Sequence, residues 1–120
     1  MILADTSVWI DHLRVHNAMF SQLLAAGQIL VHPFVVGELA VGNLRERGKL
    51  LRELADLPEA KKALDSDVLI LIERNELFGK GIGFIDAHLL ASARICNARI
   101  WTTDKRLHQI AINLGLADAY

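Results

Sequence analysis

The chain carries one cysteine in 120 residues, which excludes an internal disulfide. In its apolar helical setting Cys96 reads as a small buried hydrophobe rather than as a reactive group. Two prolines, Pro33 and Pro58, leave no proline-rich linker, and no repeat or low-complexity tract divides the sequence. Long apolar runs are missing as well. The longest aliphatic stretch, residues 68–72, is fenced by Asp67 and Glu73, whereas a membrane-spanning helix needs roughly 20 apolar residues. Asp5 interrupts the opening Met-Ile-Leu-Ala, so no secretory signal is expected and the cytoplasm is the expected compartment. An excess of charge of either sign is also lacking: 13 basic and 14 acidic side chains give a net charge of −1, which alone does not mark a nucleic-acid binder.

What the chain has in surplus is apolar residues, 52% before glycine is counted, against about 45–50% with glycine in an average domain. The length fits one domain, residues 1–120, and the surplus points to a covered subunit face in a homodimer. Residues 1–4 read as a buried strand running into Asp-Thr-Ser, a helix N-cap signal. A short helix from residue 7 or 8 to 13 or 14 follows, then a helix over 17–26 stopped by Gly27. Residues 28–32 read as a strand that meets Pro33 at the first turn of a helix over 33–44. Helical periods cover 49–57, about 66–78, 84–98 and 105–114, the last capped at Gly115. Residues 100–102 form a third buried strand, and 61–64 a short edge strand. Strands alternating with helices predict an α/β sandwich with a short, mainly parallel sheet flanked by helices.

Four acids stand out against this frame. Asp5 and Asp104 directly follow apolar strands, and in an open parallel sheet the carboxyl ends of the strands line the ligand crevice. Glu38 lies about one turn into the helix after the second strand. Asp86 lies in the first turn of the helix after the 79–83 glycine-rich stretch, and right-handed crossovers bring both helix starts to the same edge. Each acid also has a structural reading: Asp5 and Asp104 as N-caps, Asp86 as a partner of the helix dipole, Glu38 on a solvated face. Glu38 and Asp86 nonetheless sit among apolar neighbours, where a carboxylate needs a partner. Clustered carboxylates suit one or two hard cations such as Mg2+ or Mn2+, which take oxygen ligands. With the four acids set aside, the net charge of −1 becomes +3, enough for a modest phosphate-binding surface. His12 and His16 have i, i+4 spacing but no third ligand for zinc, and His32, His88 and His108 lack a local Ser or Cys partner for a nucleophilic triad.

Asp5-Thr6-Ser7 after a short strand, helical Glu38, Asp86 opening a helix after Gly81-Ile82-Gly83-Phe84, and Trp101-Thr102-Thr103-Asp104 resemble the four acidic motifs of PIN-domain proteins. The resemblance spans nearly the whole chain. Size, the first motif and the loop leading to Ile85-Asp86-Ala87-His88 are most similar to the VapC toxins of prokaryotic toxin–antitoxin pairs. It implies a PIN-like three-layer sandwich and an endoribonuclease that uses Mg2+ or Mn2+ and leaves 5′-phosphate and 3′-hydroxyl ends. It also implies a homodimer held in check by a cognate antitoxin. Asp5, Glu38 and Asp86 then correspond to the three most typical acids and Asp104 to the more variable fourth, with Thr6, Ser7, Thr102 and Thr103 orienting the carboxylates.

Lys80, Arg94, Lys105 and Arg106, together with the basic cluster at 45–52, are the expected RNA contacts, each with an alternative reading as solvated helix surface. Trp9 and Trp101 read as core or interface. Rival functions are a nuclease-inactive PIN-like module that docks RNA or protein, a PIN nuclease of housekeeping RNA processing, and a phosphotransfer domain. The last fits poorly, because no second Asp stands two residues after Asp5. An antitoxin is expected to insert an Arg or Lys beside Asp5, Glu38 and Asp86, while an extended or amphipathic segment covers apolar surface near Trp9 and Trp101.

Overall fold

The computed structural model describes residues 1–118. Its centre is the strand β1 (Ile2–Ala4), which pairs in parallel with β2 (Ile29–Leu30) on one side and β3 (Arg99–Trp101) on the other, in the order β2-β1-β3. Parallel neighbours require crossovers, and helices supply them. Between β1 and β2 run α1 (Thr6–Arg14) and α2 (Ala18–Ala25). Between β2 and β3 come α3 (Pro33–Val41), α4 (Arg47–Ala55), α5 (Asp65–Arg74) and α6 (Phe84–Cys96), and α7 (Lys105–Asn113) follows β3. The α/β architecture expected from the alternation of strands and helices is present.

Because β1 is the middle strand, Leu3 and Ala4 are wholly buried and stand at the heart of a core that includes Phe20, Val35, Leu39, Val68, Leu89, Leu90 and Leu107. Register decides what sits at the sheet's edge. Ala4 is opposite Trp101, and the Asp5 amide donates to the Trp101 carbonyl at 3.0 Å, so the residues after β1 and after β3 emerge side by side.

The boundaries correct the sequence reading in three places. Residues 61–64 form no strand. The β2 edge is instead extended by residues 58–60, where Val31 pairs with Glu59, donates to the Pro58 carbonyl and accepts from the Ala60 amide at 2.8 Å. The α3 helix stops at Val41, three residues before the expected end, because Gly42 turns extended with its amide on the Leu39 carbonyl. The α5 helix ends at Arg74 rather than near Phe78. There Glu76 adopts a left-handed conformation (φ 52°), the Glu76 and Leu77 amides close onto the carbonyls of Glu73 and Ile72, and Leu77 tucks into the core. Gly27, Asn97 and Gly115 end α2, α6 and α7 with positive φ in the same way, but only Glu76 does so with a long charged side chain.

A left-handed backbone at a residue with a Cβ costs about 1–2 kcal/mol that glycine avoids. Glu76→Gly is therefore expected to raise the urea midpoint, with a gain of about 1 kcal/mol in unfolding free energy and no change in secondary-structure content by circular dichroism.

Candidate active site

Asp5 leaves β1 and caps α1. Its Oδ1 accepts from the Ser7 hydroxyl at 2.5 Å and the Val8 amide at 3.3 Å, and its Oδ2 accepts from the Thr102 hydroxyl at 2.5 Å. The two hydroxyls are themselves held from the β3 side. Ser7 Oγ accepts from the Thr103 amide at 3.1 Å, and Thr102 Oγ1 accepts from the Asp104 amide at 3.0 Å. The buried carboxylate is thus laced to the end of a strand 97 residues away.

The other three acids are each anchored through one oxygen. Asp104 caps α7, its Oδ1 accepting from the Arg106 amide at 2.9 Å and the Leu107 amide at 3.0 Å. Asp86, in the first turn of α6, accepts from the Gly83 amide through Oδ2 at 3.2 Å. Glu38 on α3 accepts from the Thr6 hydroxyl through Oε1 at 2.6 Å. The second oxygen of all three takes no hydrogen bond among the described residues, so each carboxylate is aimed but not consumed.

Electrostatics shows that the four share one field. Asp86 is raised above its ordinary value of 3.8, first because half-burial penalises its charge and then because Asp5, Asp104 and Glu38 repel it, while the Gly83 amide pulls the other way. No three His, Cys, Asp or Glu side chains among the described residues close into a metal-binding group. An all-oxygen donor set that is open, anionic and only partly hydrogen-bonded fits a hard cation such as magnesium, which binds through one or two carboxylates and keeps waters and phosphate oxygens.

Basic residues distribute unevenly around this centre. Arg106 lies across Gly81: a Cβ there would come within 2.5 Å of the guanidinium Nη1 and push that flexible side chain aside, and the φ of +80° at Gly81 is what favours glycine. The contact ties the start of α7 to the loop that caps α6. Lys80 is exposed in that loop and Lys105 on the first turn of α7. Arg94 is exposed in the last turn of α6, about 12 Å along the axis from Asp86.

Other expectations were met differently. Glu38 is exposed rather than enclosed, lying at the flank of the α3 face that buries Val35 and Leu39, and its partner is Thr6. Trp9 is only 3% exposed and offers no surface to a partner, whereas Trp101 is half-buried. His12 accepts the Asn17 amide through Nδ1 at 3.2 Å and packs on Phe20, a structural role.

The buried pair His32 and Ser92, Nε2 to Oγ at 3.0 Å, escaped the sequence reading because 60 residues separate them. His32 Nδ1 accepts the Phe34 amide, which makes Nε2 the protonated nitrogen and His32 the N-cap of the helix that carries Glu38. Burial, with His88 and Lys62 adding to it, pushes this imidazole down to about 4, so it stays neutral. His88, fully buried beside it, meets Asp65 at 2.8 Å.

The family whose description is PIN domain matches residues 2–113, and the chain belongs to that family. Ribonuclease VapC32 of Mycobacterium tuberculosis, in strains CDC 1551 / Oshkosh and ATCC 25618 / H37Rv, is 43% identical over 118 residues, which cover 98% of this chain and 95% of the relative. The crystal structure of PAE2754 from Pyrobaculum aerophilum superimposes with a TM-score of 0.58 over 95% of this chain and 88% of that one. At 13% identity, that match speaks for the fold.

Asp86 supplies a pH test. A carboxyl whose folded pKa is raised favours the folded state below its unfolded value and loses that contribution as pH rises through the folded value. In metal-free buffer, Asp86→Asn is expected to raise the melting temperature at pH 7, and the gain should vanish when both proteins are compared below pH 3.8.

Proposed function

We propose that this protein is a divalent-cation-dependent endoribonuclease acting as the toxin of a toxin–antitoxin pair. The observation that carries the reading is Asp86, raised by burial and by the charges of Asp5, Asp104 and Glu38 near the carboxyl edge of a parallel sheet, where Ser7 and Thr102 lock Asp5 in place. Kinship with a ribonuclease along nearly the whole chain supports it.

Asp5, Glu38, Asp86 and Asp104 would hold one or two magnesium or manganese ions. Such an ion supplies a lowered pKa to the attacking water and offsets charge on the leaving oxygen of an RNA phosphodiester. Ser7 and Thr102 keep the Asp5 carboxylate from rotating, and Thr6 does the same for Glu38. Thr103 contributes its amide to Ser7. Lys80, Lys105 and Arg106 attract the phosphate backbone to the rim.

The same anionic centre explains control by an antitoxin. An inserted Arg or Lys would neutralise the repelling acids in place of the metal, with arginine favoured because its planar fork meets two carboxylate oxygens at once. Exposed apolar side chains on α5 and the loops beside it, Leu64 at 68%, Leu69 at 56%, Ile70 at 47% and Phe78 at 61%, support a homodimer or a partner contact.

Asp5→Asn, Glu38→Gln and Asp86→Asn should each abolish RNA cleavage with the circular dichroism spectrum intact, and Asp104→Asn should be the mildest of the four. EDTA should stop the wild type, and manganese or magnesium, but not calcium, should restore it. Two of the first three variants cutting at the wild-type rate, or full activity in EDTA, would refute the assignment. Separately, light scattering at micromolar concentration should report about twice 13.3 kDa.

A further inference from the structure

Two cavities meet at Trp101. The first, about 470 Å3, is walled by Met19 and Leu23 of α2, by Ile2 and by Trp101, with Arg99, Lys105 and His108 on its rim. The second, about 400 Å3, shares Trp101 and Thr103 with it and adds Arg14, His12 and His16. Both fall in the size range of small-ligand sites, roughly 300–1,000 Å3.

Three features give the pair a chemical character. The indole of Trp101 is braced by Phe20, whose ring meets it edge-on at 5.6 Å and is itself fully buried, so the platform is rigid. Among the described residues the linings carry Arg14, Arg99 and Lys105 against Asp11 and Asp118, of which Asp118 pairs with Arg99, and His12, His16 and His108 add ring nitrogens that can hydrogen-bond. Finally, the wall common to both cavities is Thr103, whose amide holds Ser7, which in turn holds Asp5. The trough therefore begins where the acidic cleft ends.

We propose that this trough, walled by Trp101, Met19 and Leu23 and rimmed by Lys105, His108 and Arg14, seats a nucleotide of single-stranded RNA adjoining the cleaved bond. The inference rests on the ribonuclease reading and deepens it. The base packs against Trp101 and the aliphatic wall of α2, and the flanking phosphates meet the basic rim. Stacking on an aromatic beside a cationic groove is how single strands are held. A polyanion suits this lining better than a basic peptide segment, and Thr103 joins the trough to the acids through Ser7 and Asp5. The trough then selects which phosphodiester reaches them.

The test uses the full-length protein in EDTA, so that nothing is cut, with a labelled single-stranded hexanucleotide RNA and the same oligomer bearing abasic sites. Cleavage is measured in parallel in magnesium. Met19→Glu and Lys105→Glu change exposed side chains and should keep the fold. Each is expected to weaken hexanucleotide binding roughly tenfold and to raise KM more than it lowers kcat. Trp101→Leu should erase the preference of the protein for the base-bearing over the abasic oligomer. If the two surface variants bind and cut like wild type, the trough is not an RNA site, and the ribonuclease reading stands as long as wild type cuts and Asp86→Asn does not. If the variants loosen the antitoxin complex while RNA binding is unchanged, the trough is a protein-docking site and the proposal fails. A wild type that neither binds nor cuts RNA overturns both readings.

Discussion

The Asp5 carboxylate receives hydrogen bonds from Ser7, Val8 and Thr102, and its two hydroxyl donors are in turn held by the amides of Thr103 and Asp104. A buried carboxylate is tolerated only when its charge is answered, and here the answer comes from two segments at opposite ends of the chain. The consequence runs in both directions. The strand ends must stay in register for Asp5 to be satisfied, and while Asp5 is satisfied, Asp104 is carried to a fixed place beside it. Loss of any of the three donors would leave an oxygen short inside the sheet edge, where water has little access.

Around that anchor the site holds more negative charge than the empty protein would choose. The Gly83 amide relieves Asp86 by more than any one of the neighbouring acids opposes it, but desolvation together with the three acids outweighs it. Stability is given up locally for a field that attracts cations, a common arrangement at functional sites. The cost is offset elsewhere by a core in which Leu3, Phe20, Val35, Leu90 and Leu107 are wholly covered. Neutral His32 and Ser92 belong to this supporting structure: they fix the start of α3, and so the position of Glu38, without adding charge to the cleft.

Local patterns in the chain carried much of this. Apolar triplets followed by Asp, glycine before Asp86 and the helical periods are signals that depend on near neighbours, and the strands and N-caps they marked are present. Features made by distant residues were not legible. The pairing of Val31 with Glu59, the His32–Ser92 bond and the turn of Thr6 toward Glu38 each join positions that no periodicity relates. Glu76 misled for a different reason. Its side chain gives no sign that its backbone is left-handed, so the end of α5 was placed too late.

The clasp of Arg106 over Gly81 has a consequence for inheritance. A side chain at position 81 would have to push the flexible Arg106 side chain aside and, more costly, would need a backbone angle that glycine adopts most readily. Shortening residue 106 would clear the space over residue 81 but leave its positive φ untouched, so the glycine is held by its own backbone whether or not the arginine is kept. The arginine, by contrast, is held by nothing at position 81, and its place over the loop is open to other side chains.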